Sequence, residues 1–169
     1  GMSSAASDVY KRQAKYFAGH SLGEYSALAS AGYLNFSDTL KLLRTRGDAM
    51  QNSVPKGEGG MVAVLGSTVI EIEKILSEKN NYSSIQIAND NSDGQLVLSG
   101  KNFDLDELIK ALKSRNIRNI KLPVSAPFHC KLMSNATKTM REEIEKLAFS
   151  EGKNILISSV TADEIVDKN

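Results

Sequence analysis

The segment between Met61 and Leu122 alternates regularly between short apolar runs and longer amphipathic stretches. Short apolar runs are typical of buried strands, and apolar residues three or four positions apart are typical of helices. In chain order the pattern predicts a strand at 61–65, a helix at 69–79, strands at 84–88 and 95–99, a helix at 104–115 and a strand at 117–122. This β-α-β-β-α-β order defines the ferredoxin-like unit. We therefore predict a small ferredoxin-like lobe over residues 60–123.

The flanking segments predict a second lobe of a different kind. An apolar stretch at Tyr16–Ala18 precedes a small-residue helix from Tyr25 to Ala31, which Gly32 is expected to stop. The remaining predicted elements are a helix at 38–52 with Ser37 as its N-cap, a helix at 131–147 and a strand at 155–160. Strands alternating with helices favour a parallel α/β sheet, although two strands are too few to complete one. We therefore predict an α/β protein whose incomplete, hydrolase-like large lobe comprises residues 14–59 and 124–169.

Composition and charge narrow the class of protein. The 169 residues suffice for a sizeable core, and a formal net charge of +1 argues against nucleic acid as a partner. No apolar run is long enough to span a membrane. The one cysteine, Cys130, is interpreted as a small buried apolar residue and fits a reducing, cytoplasmic compartment. Residues 1–13 are polar and rich in serine, and we expect them to be a non-native or disordered leader.

The sequence Gly19-His20-Ser21-Leu22-Gly23 has the form of a nucleophile elbow between a strand and a helix. On such a turn the flanking glycines allow a tight backbone, and the serine hydroxyl is exposed. The Leu22 N–H would open the helix and stabilise an oxyanion. The alternative is an ordinary Gly-Ser turn before a helix. The strand-turn-helix context favours a nucleophile, which makes the chain a candidate acyl-transfer enzyme.

A serine nucleophile needs a base, and histidine is the usual one because it titrates near neutral pH. The chain has two histidines. His20 immediately precedes Ser21, so its side chain is expected to point away from the hydroxyl. His129 follows a loop that contains Pro123 and Pro127, which could present the imidazole to a site from another element. His129 is therefore the candidate base, and a hydrogen-bonded structural histidine is the alternative.

Arg46 falls on the apolar face of its predicted helix. On a helical wheel that face is formed by Leu40, Leu42, Leu43, Gly47 and Met50. A guanidinium on a buried face is costly without an anionic partner. Arg46 therefore has three interpretations: part of an internal salt bridge, a side chain whose stem is buried while its charge snorkels to solvent, or a clamp for a substrate carboxylate, whose geometry matches two parallel guanidinium donors.

The last helix and strand of the predicted small lobe are locally basic. Their cations are Lys110, Lys113, Arg115, Arg118 and Lys121. Such a run is usually a solvated face, and the alternative is a docking surface for an acidic carrier protein or for coenzyme A phosphates. No spacing of cysteine and histidine suits zinc, and no phosphate-binding glycine loop is present.

Four segments occur together and in a characteristic order. They are G-H-S-L-G-E-Y-S-A-L at 19–28, Arg46-Gly47, Q-L-V-L-S-G at 95–100 and V-S-A-P-F-H-C-K-L-M at 124–133. This set resembles the malonyl-CoA:acyl carrier protein transacylase family. The resemblance implies a ping-pong transfer of a malonyl group from malonyl-CoA to the phosphopantetheine thiol of acyl carrier protein in fatty acid synthesis. It implies no permanently bound cofactor and no metal.

The resemblance also implies roles for individual residues. Ser21 would form the acyl-enzyme and His129 would be the general base and acid. Arg46 would bind the malonyl carboxylate, and the Leu22 amide would supply half of the oxyanion hole. Phe128, before the histidine, and Leu22, after the serine, resemble malonyl-selective members. Asn89 resembles a residue near the family's active site, with a turn-forming asparagine as the alternative.

The sequence departs from the family at both ends. The G-Q-G-S-Q loop that completes the oxyanion hole is not matched, and family members continue beyond the segment that resembles 159–162. We therefore expect an internal piece of a larger enzyme, with apolar surface that promotes non-native association. Two other hypotheses remain open, a serine esterase or thioesterase and a catalytically impaired fragment.

Overall fold

The computed structural model describes residues 14–152 and 154–165 as an α/β protein with two compact units. The first, here the elbow unit, runs to Arg44 and resumes at Glu143, and the second, the sheet unit, is Thr45–Glu142. The predicted α/β class is confirmed. The predicted lobe limits at 60 and 123 fall inside the sheet unit, and the division into lobes stays a prediction. The predicted leader, 1–13, lies outside the described residues.

The elbow unit contains a parallel strand pair and a short helix. Strand β1 (Tyr16–Ala18) pairs with β6 (Ile155–Ile157), with Phe17 opposite Leu156. Helix α1 (Leu22–Ser30) follows β1 and buries Ala27. Gly32 has a φ of +87°, and the Tyr33 N–H donates to the Leu28 carbonyl at 3.0 Å. This backbone confirms Gly32 as the stop of the first helix, because a left-handed residue after a helix closes its last turn.

Helix α2 (Phe36–Gln51) begins two residues earlier than predicted. The Asp38 N–H donates to Asn35 Oδ1 at 2.9 Å, and the Asn35 amide donates to the Asp38 carboxylate at 2.7 Å. Asn35 is therefore the N-cap, and the prediction of Ser37 was wrong. The two hydrogen bonds are reciprocal, because Asp38 at the third helical position donates its N–H to the Asn35 side chain and accepts the Asn35 amide on its carboxylate. Ser37 lies inside the helix, so it cannot be the residue that caps it.

The sheet unit is built on four antiparallel strands in the order β3-β4-β2-β5. Its elements are β2 (Gly59–Leu65), α3 (Val69–Ser77), a 3-10 turn (Asn80–Tyr82), β3 (Gln86–Ser92), β4 (Gln95–Lys101), α4 (Asn102–Ser114) and β5 (Arg118–Lys121). The β-α-β-β-α-β order is the one that the hydrophobic pattern predicts. Strand β2 lies between β4 and β5, which is the ferredoxin-like arrangement.

One face of this sheet packs against the two helices. The fully buried side chains of that core include Val62, Val64, Leu96, Leu98, Ile72, Leu105, Leu108 and Leu112. Thr68 caps α3 by accepting the Glu71 N–H at 3.2 Å. Successive side chains of a strand point to opposite faces of the sheet. The strand residues that alternate with these core residues therefore lie on the face away from the helices. Gln86, next to the core residue Ile87, therefore belongs to that other side.

The carboxyl-terminal elements are shorter than predicted. A 3-10 turn (Lys131–Met133) precedes α5 (Ser134–Ile144), and β6 ends at Ile157. Ser158 ends the strand because its Oγ accepts the N–H groups of Val160 and Thr161, at 3.1 and 3.3 Å, and turns the chain. Within the described residues no helix combines the length and apolarity that a membrane span requires.

Candidate active site

Ser21 lies on a sharp turn between a parallel strand and a helix. Its φ of 54° and ψ of −109° fall outside the regions that residues with side chains usually adopt. A backbone of this kind costs about 1–3 kcal/mol and is concentrated at functional sites. The Gly23 N–H donates to the His20 carbonyl at 2.9 Å, which closes the turn around the serine. The predicted elbow conformation is therefore present, with the strain on the serine itself.

The two glycines of the elbow have different roles. A Cβ on Gly19 would overlap the backbone of Gly23 and Glu24, whereas a Cβ on Gly23 would meet nothing within 4 Å. Neither glycine has a positive φ. Gly19 is therefore required because the end of the strand and the start of the helix approach each other closely there. The expectation that both flanking glycines allow the tight backbone holds only for Gly19.

Leu22 is the first residue of α1. The N–H groups at a helix start have no carbonyl partner within the helix, and the helix dipole makes this end positive. The Leu22 N–H follows the serine directly, which is the position that a first oxyanion donor requires. The Leu22 side chain is 52% exposed.

His129 lies in a loop of the sheet unit that is held at both sides. Pro127 is fully buried, and its ring occupies the space that a Cβ on Gly59 would need. The Ser125 hydroxyl donates to Gln51 Oε1 at 3.2 Å. His129 itself has a φ of 58°, so the candidate base and the candidate nucleophile both occupy left-handed backbone. Among the described residues other than glycine, only Asn116 and Ala162 also have positive φ.

Arg46 lies in α2 and is half-buried. The apolar face of the helix is narrower than the wheel predicts, since Leu42 is buried while Leu40 is 51% exposed. Leu43 and Met50 are half-buried. Arg46 therefore sits at the margin of a buried face, where the guanidinium can reach a polar partner.

Phe128 and Asn89 complete the predicted set in the sheet unit. Phe128 precedes His129 and is half-buried. Asn89 lies within β3, opposite Val97 of β4, and the alternative of a turn-forming asparagine is wrong. The pairing shifts between Ile87 and Asn89, so the intervening residue forms a bulge. Bulges are common next to active sites, where they redirect a side chain. A bulged strand can therefore carry polar residues such as those of this segment.

Acidic neighbours partly neutralise the basic run at the end of the sheet unit. Lys110 pairs with Glu107 and Lys121 with Asp106, each at 2.7 Å, and Arg115 pairs with Glu78 through two hydrogen bonds. The Arg115 guanidinium holds the pKa of Glu78 below its usual range. These pairs favour a solvated, salt-bridged face over a docking surface. Among the described residues no group of three or more His, Cys, Asp or Glu side chains could hold a metal ion.

The predicted residues fall into two groups. Ser21 and Leu22 belong to the elbow unit, whereas Arg46, Asn89, Phe128 and His129 belong to the sheet unit. Ser21 and the Leu22 amide are adjacent in one turn, and Phe128 and His129 are adjacent in one loop. Sequence reasoning did not single out Gln86, which accepts a hydrogen bond from the backbone just after His129. A polar residue at the start of a strand carries no sequence signal for that contact.

Comparison with protein families identifies the class. The family model described as the acyl transferase domain matches residues 8–169. The chain therefore belongs to the acyl transferase domain family, which confirms the resemblance indicated by the four motifs.

Individual relatives carry more specific names. The malonyl CoA-acyl carrier protein transacylase of Salmonella typhimurium is 42% identical over 134 residues, covering 79% of this chain and 43% of the relative. The crystal structure of malonyl CoA-acyl carrier protein transacylase from Clostridium perfringens matches with a TM-score of 0.88 at 38% identity, covering 98% of this chain and 52% of that chain. A malonyl-transacylase in complex with a holo type II PKS acyl-carrier protein matches with a TM-score of 0.86 at 31% identity. That match covers 94% of this chain and 53% of the matched chain. The chain spans about half the length of these relatives.

Proposed function

We propose that this chain carries the machinery for transfer of a malonyl group from malonyl-CoA to the phosphopantetheine thiol of acyl carrier protein, in the cytoplasm. The observation that supports this most is the strained Ser21 between a parallel strand and the first turn of a helix. Such a serine is pre-set for attack on a carbonyl. The names of the matched relatives provide the substrate class.

The first half-reaction loads the serine. His129 accepts the Ser21 hydroxyl proton while Oγ attacks the thioester carbonyl of malonyl-CoA. The Leu22 N–H donates to the oxyanion of the tetrahedral intermediate. The carbon–sulfur bond then breaks, His129 returns the proton to the departing thiolate, and coenzyme A leaves a malonyl ester on Ser21.

The second half-reaction reverses these roles with a different thiol. His129 takes the proton of the phosphopantetheine thiol, whose sulfur attacks the malonyl ester. The ester bond breaks, and the proton returns to Ser21 Oγ. The net change is exchange of one thioester for another, so the two half-reactions need no oxidant or reductant.

Arg46 accounts for selection of a carboxylated acyl group. A guanidinium at the margin of a buried face gains a bidentate partner from the malonyl carboxylate and gains none from an acetyl group. In this proposal Phe128, beside the base, and Asn89, next to the bulge of β3, also contribute to binding the malonyl group. In this proposal the catalytic lobe comprises residues 14–59 and 124–169, and the ferredoxin-like lobe comprises residues 60–123.

Intact-protein mass measurement after incubation with malonyl-CoA tests the first half-reaction. We expect a gain of one malonyl group that Ser21→Ala abolishes. The matched control is Ser26→Ala, because Ser26 is exposed one turn further along the same helix. An adduct that persists in Ser21→Ala would contradict the assignment, and an unmodified parent chain would favour the impaired-fragment hypothesis.

The role of Arg46 is tested by competition between malonyl-CoA and acetyl-CoA. We expect Arg46→Ala to lower the preference for malonyl by about tenfold to a hundredfold, the size of a lost charge-assisted hydrogen bond. Arg44→Ala, an exposed arginine of the same helix, is the control. An unchanged preference would remove Arg46 from the site and would favour the esterase hypothesis, since a simple esterase needs no buried cation.

A further inference from the structure

The helical turn after His129 has no N-cap of its own. Lys131 opens the 3-10 turn, and Cys130, in the capping position, makes no side-chain capping hydrogen bond. The Cys130 thiol donates instead to the Pro127 carbonyl at 3.1 Å. The N–H groups at a helix start need external acceptors, so the first N–H of this turn requires a partner from another element.

Gln86 supplies that partner from the sheet. The Lys131 N–H donates to Gln86 Oε1 at 2.6 Å, across 45 positions of sequence. Gln86 is the first residue of β3, where it pairs with Ser99 of β4, and its neighbour Ile87 packs against the helix-covered core. The acceptor therefore sits on a rigid strand.

The turn that Gln86 holds directly follows a residue with a positive φ. His129 has a φ of 58°, a conformation that residues with a Cβ occupy only when the surrounding contacts impose it. On the amino-terminal side the constraint is Pro127, seated against Gly59. On the carboxyl-terminal side the constraint is the hydrogen bond to Gln86.

We propose that Gln86 is a positioning residue for His129: it caps the turn that follows the histidine and so fixes where the imidazole points. This inference rests on the proposed function, in which His129 is the base. Gln86 touches no reacting atom in this proposal. Its removal therefore moves the imidazole while leaving the thioester-binding groups in place.

The kinetic test uses steady-state transfer of malonyl groups from malonyl-CoA to acyl carrier protein by the full chain. We expect Gln86→Ala to lower kcat about tenfold with KM for malonyl-CoA unchanged, because displacement of a catalytic group affects the chemical step rather than binding. Gln86→Glu keeps an acceptor oxygen at the same reach and should restore most of the rate. Gln95→Ala, at the first residue of β4, is the matched control and should leave kcat unchanged.

A reciprocal variant tests the hydrogen bond from its donor side. Lys131→Pro removes the N–H, and proline is tolerated at the first position of a helical turn. Cys130, with φ −136° and ψ 176°, already has the extended backbone that a following proline requires. Lys131→Pro should lower kcat as much as Gln86→Ala does, whereas Lys131→Ala, which keeps the N–H, should not lower it. The double variant that combines Gln86→Ala with Lys131→Pro should show no further loss of kcat, because both changes remove the same hydrogen bond.

The position of the His129 imidazole can also be tested without measuring activity, by nuclear magnetic resonance. The chain has two histidines, so the Cε1–H signals of His20 and His129 form a two-line spectrum that His129→Gln assigns. Gln86→Ala should shift the His129 signal and leave the His20 signal in place. A parent chain without adduct would contradict the proposed function while this spectrum still tests the positioning. An unmoved His129 signal in folded Gln86→Ala, or a fall in kcat that Gln86→Glu does not restore, would overturn the inference.

Discussion

The elbow unit and the sheet unit hold their key residues by different means. In the sheet unit a contiguous core of buried side chains, most of them from β2, β4 and the two helices, supports the sheet. Among the described residues of the elbow unit, the buried core cluster consists of Ala27, Ala31 and Leu156. Yet the strained backbone of Ser21 belongs to the elbow unit.

The difference teaches that strain at a site does not require a large core close by. The Ser21 turn is imposed by backbone geometry: a parallel strand on one side, a helix on the other, and a glycine where they approach. The His129 turn is imposed by anchors to a stable sheet. Stability and site geometry can therefore be changed separately, and matched substitutions in the two units should show this.

The largest expected effect is truncation of the sheet-unit core. Leu108 is fully buried in α4, and Leu108→Ala should lower the free energy of unfolding by about 2–5 kcal/mol. For Leu156→Ala, in β6 of the elbow unit, the loss of free energy of unfolding should be at or below the lower end of that range, because fewer buried side chains surround Leu156. Urea denaturation followed by circular dichroism measures both. Equal costs for the two leucines would contradict the contrast between the units.

The next effect concerns the elbow alone. Gly19→Ala places a methyl group into the backbone of Gly23 and Glu24, which should cost about 1–3 kcal/mol of stability. A shift of the serine by about 1 Å should lower the rate of Ser21 malonylation about a hundredfold.

The other glycine of the same motif is the control for that substitution. The added methyl group of Gly23→Ala would point into open space on a helix. The rate of Ser21 malonylation should therefore stay within a few-fold of that of the parent chain, and the free energy of unfolding should be unchanged or raised by up to about 1 kcal/mol. If both glycine variants lost activity equally, the close approach at Gly19 would not be what shapes the turn.

Those parts of the fold that depend on local pattern could be predicted from the sequence. The β-α-β-β-α-β order follows from runs whose period changes between strand and helix, and the elbow follows from five adjacent residues. Gly32 could be predicted because a left-handed residue after a helix is a local requirement.

Features that depend on distant partners could not be predicted. Asn89 was ambiguous because a polar I-A-N-D-N segment becomes a strand only through its pairing with β4. The ion pair of Arg115 could not be predicted because its partner, Glu78, is 37 positions away. Gln86 carried no signal, since its contact with the Lys131 backbone depends on tertiary structure alone.

The smallest expected effect concerns the surface of the sheet unit, at the pair between Glu78 and Arg115. The hydrogen bond from Arg115 lowers the pKa of Glu78, so the pair stabilises the fold above the carboxyl's ordinary pKa. That contribution disappears as the pH falls through the lowered value. Glu78→Gln should therefore shift the urea midpoint slightly at neutral pH and not at an acidic pH below the lowered pKa of Glu78, and salt should diminish the shift at neutral pH. Glu73→Gln, exposed on the helix that Glu78 caps, provides the comparison. A shift of the same size at both pH values would show that Glu78 acts through helix packing rather than through its charge.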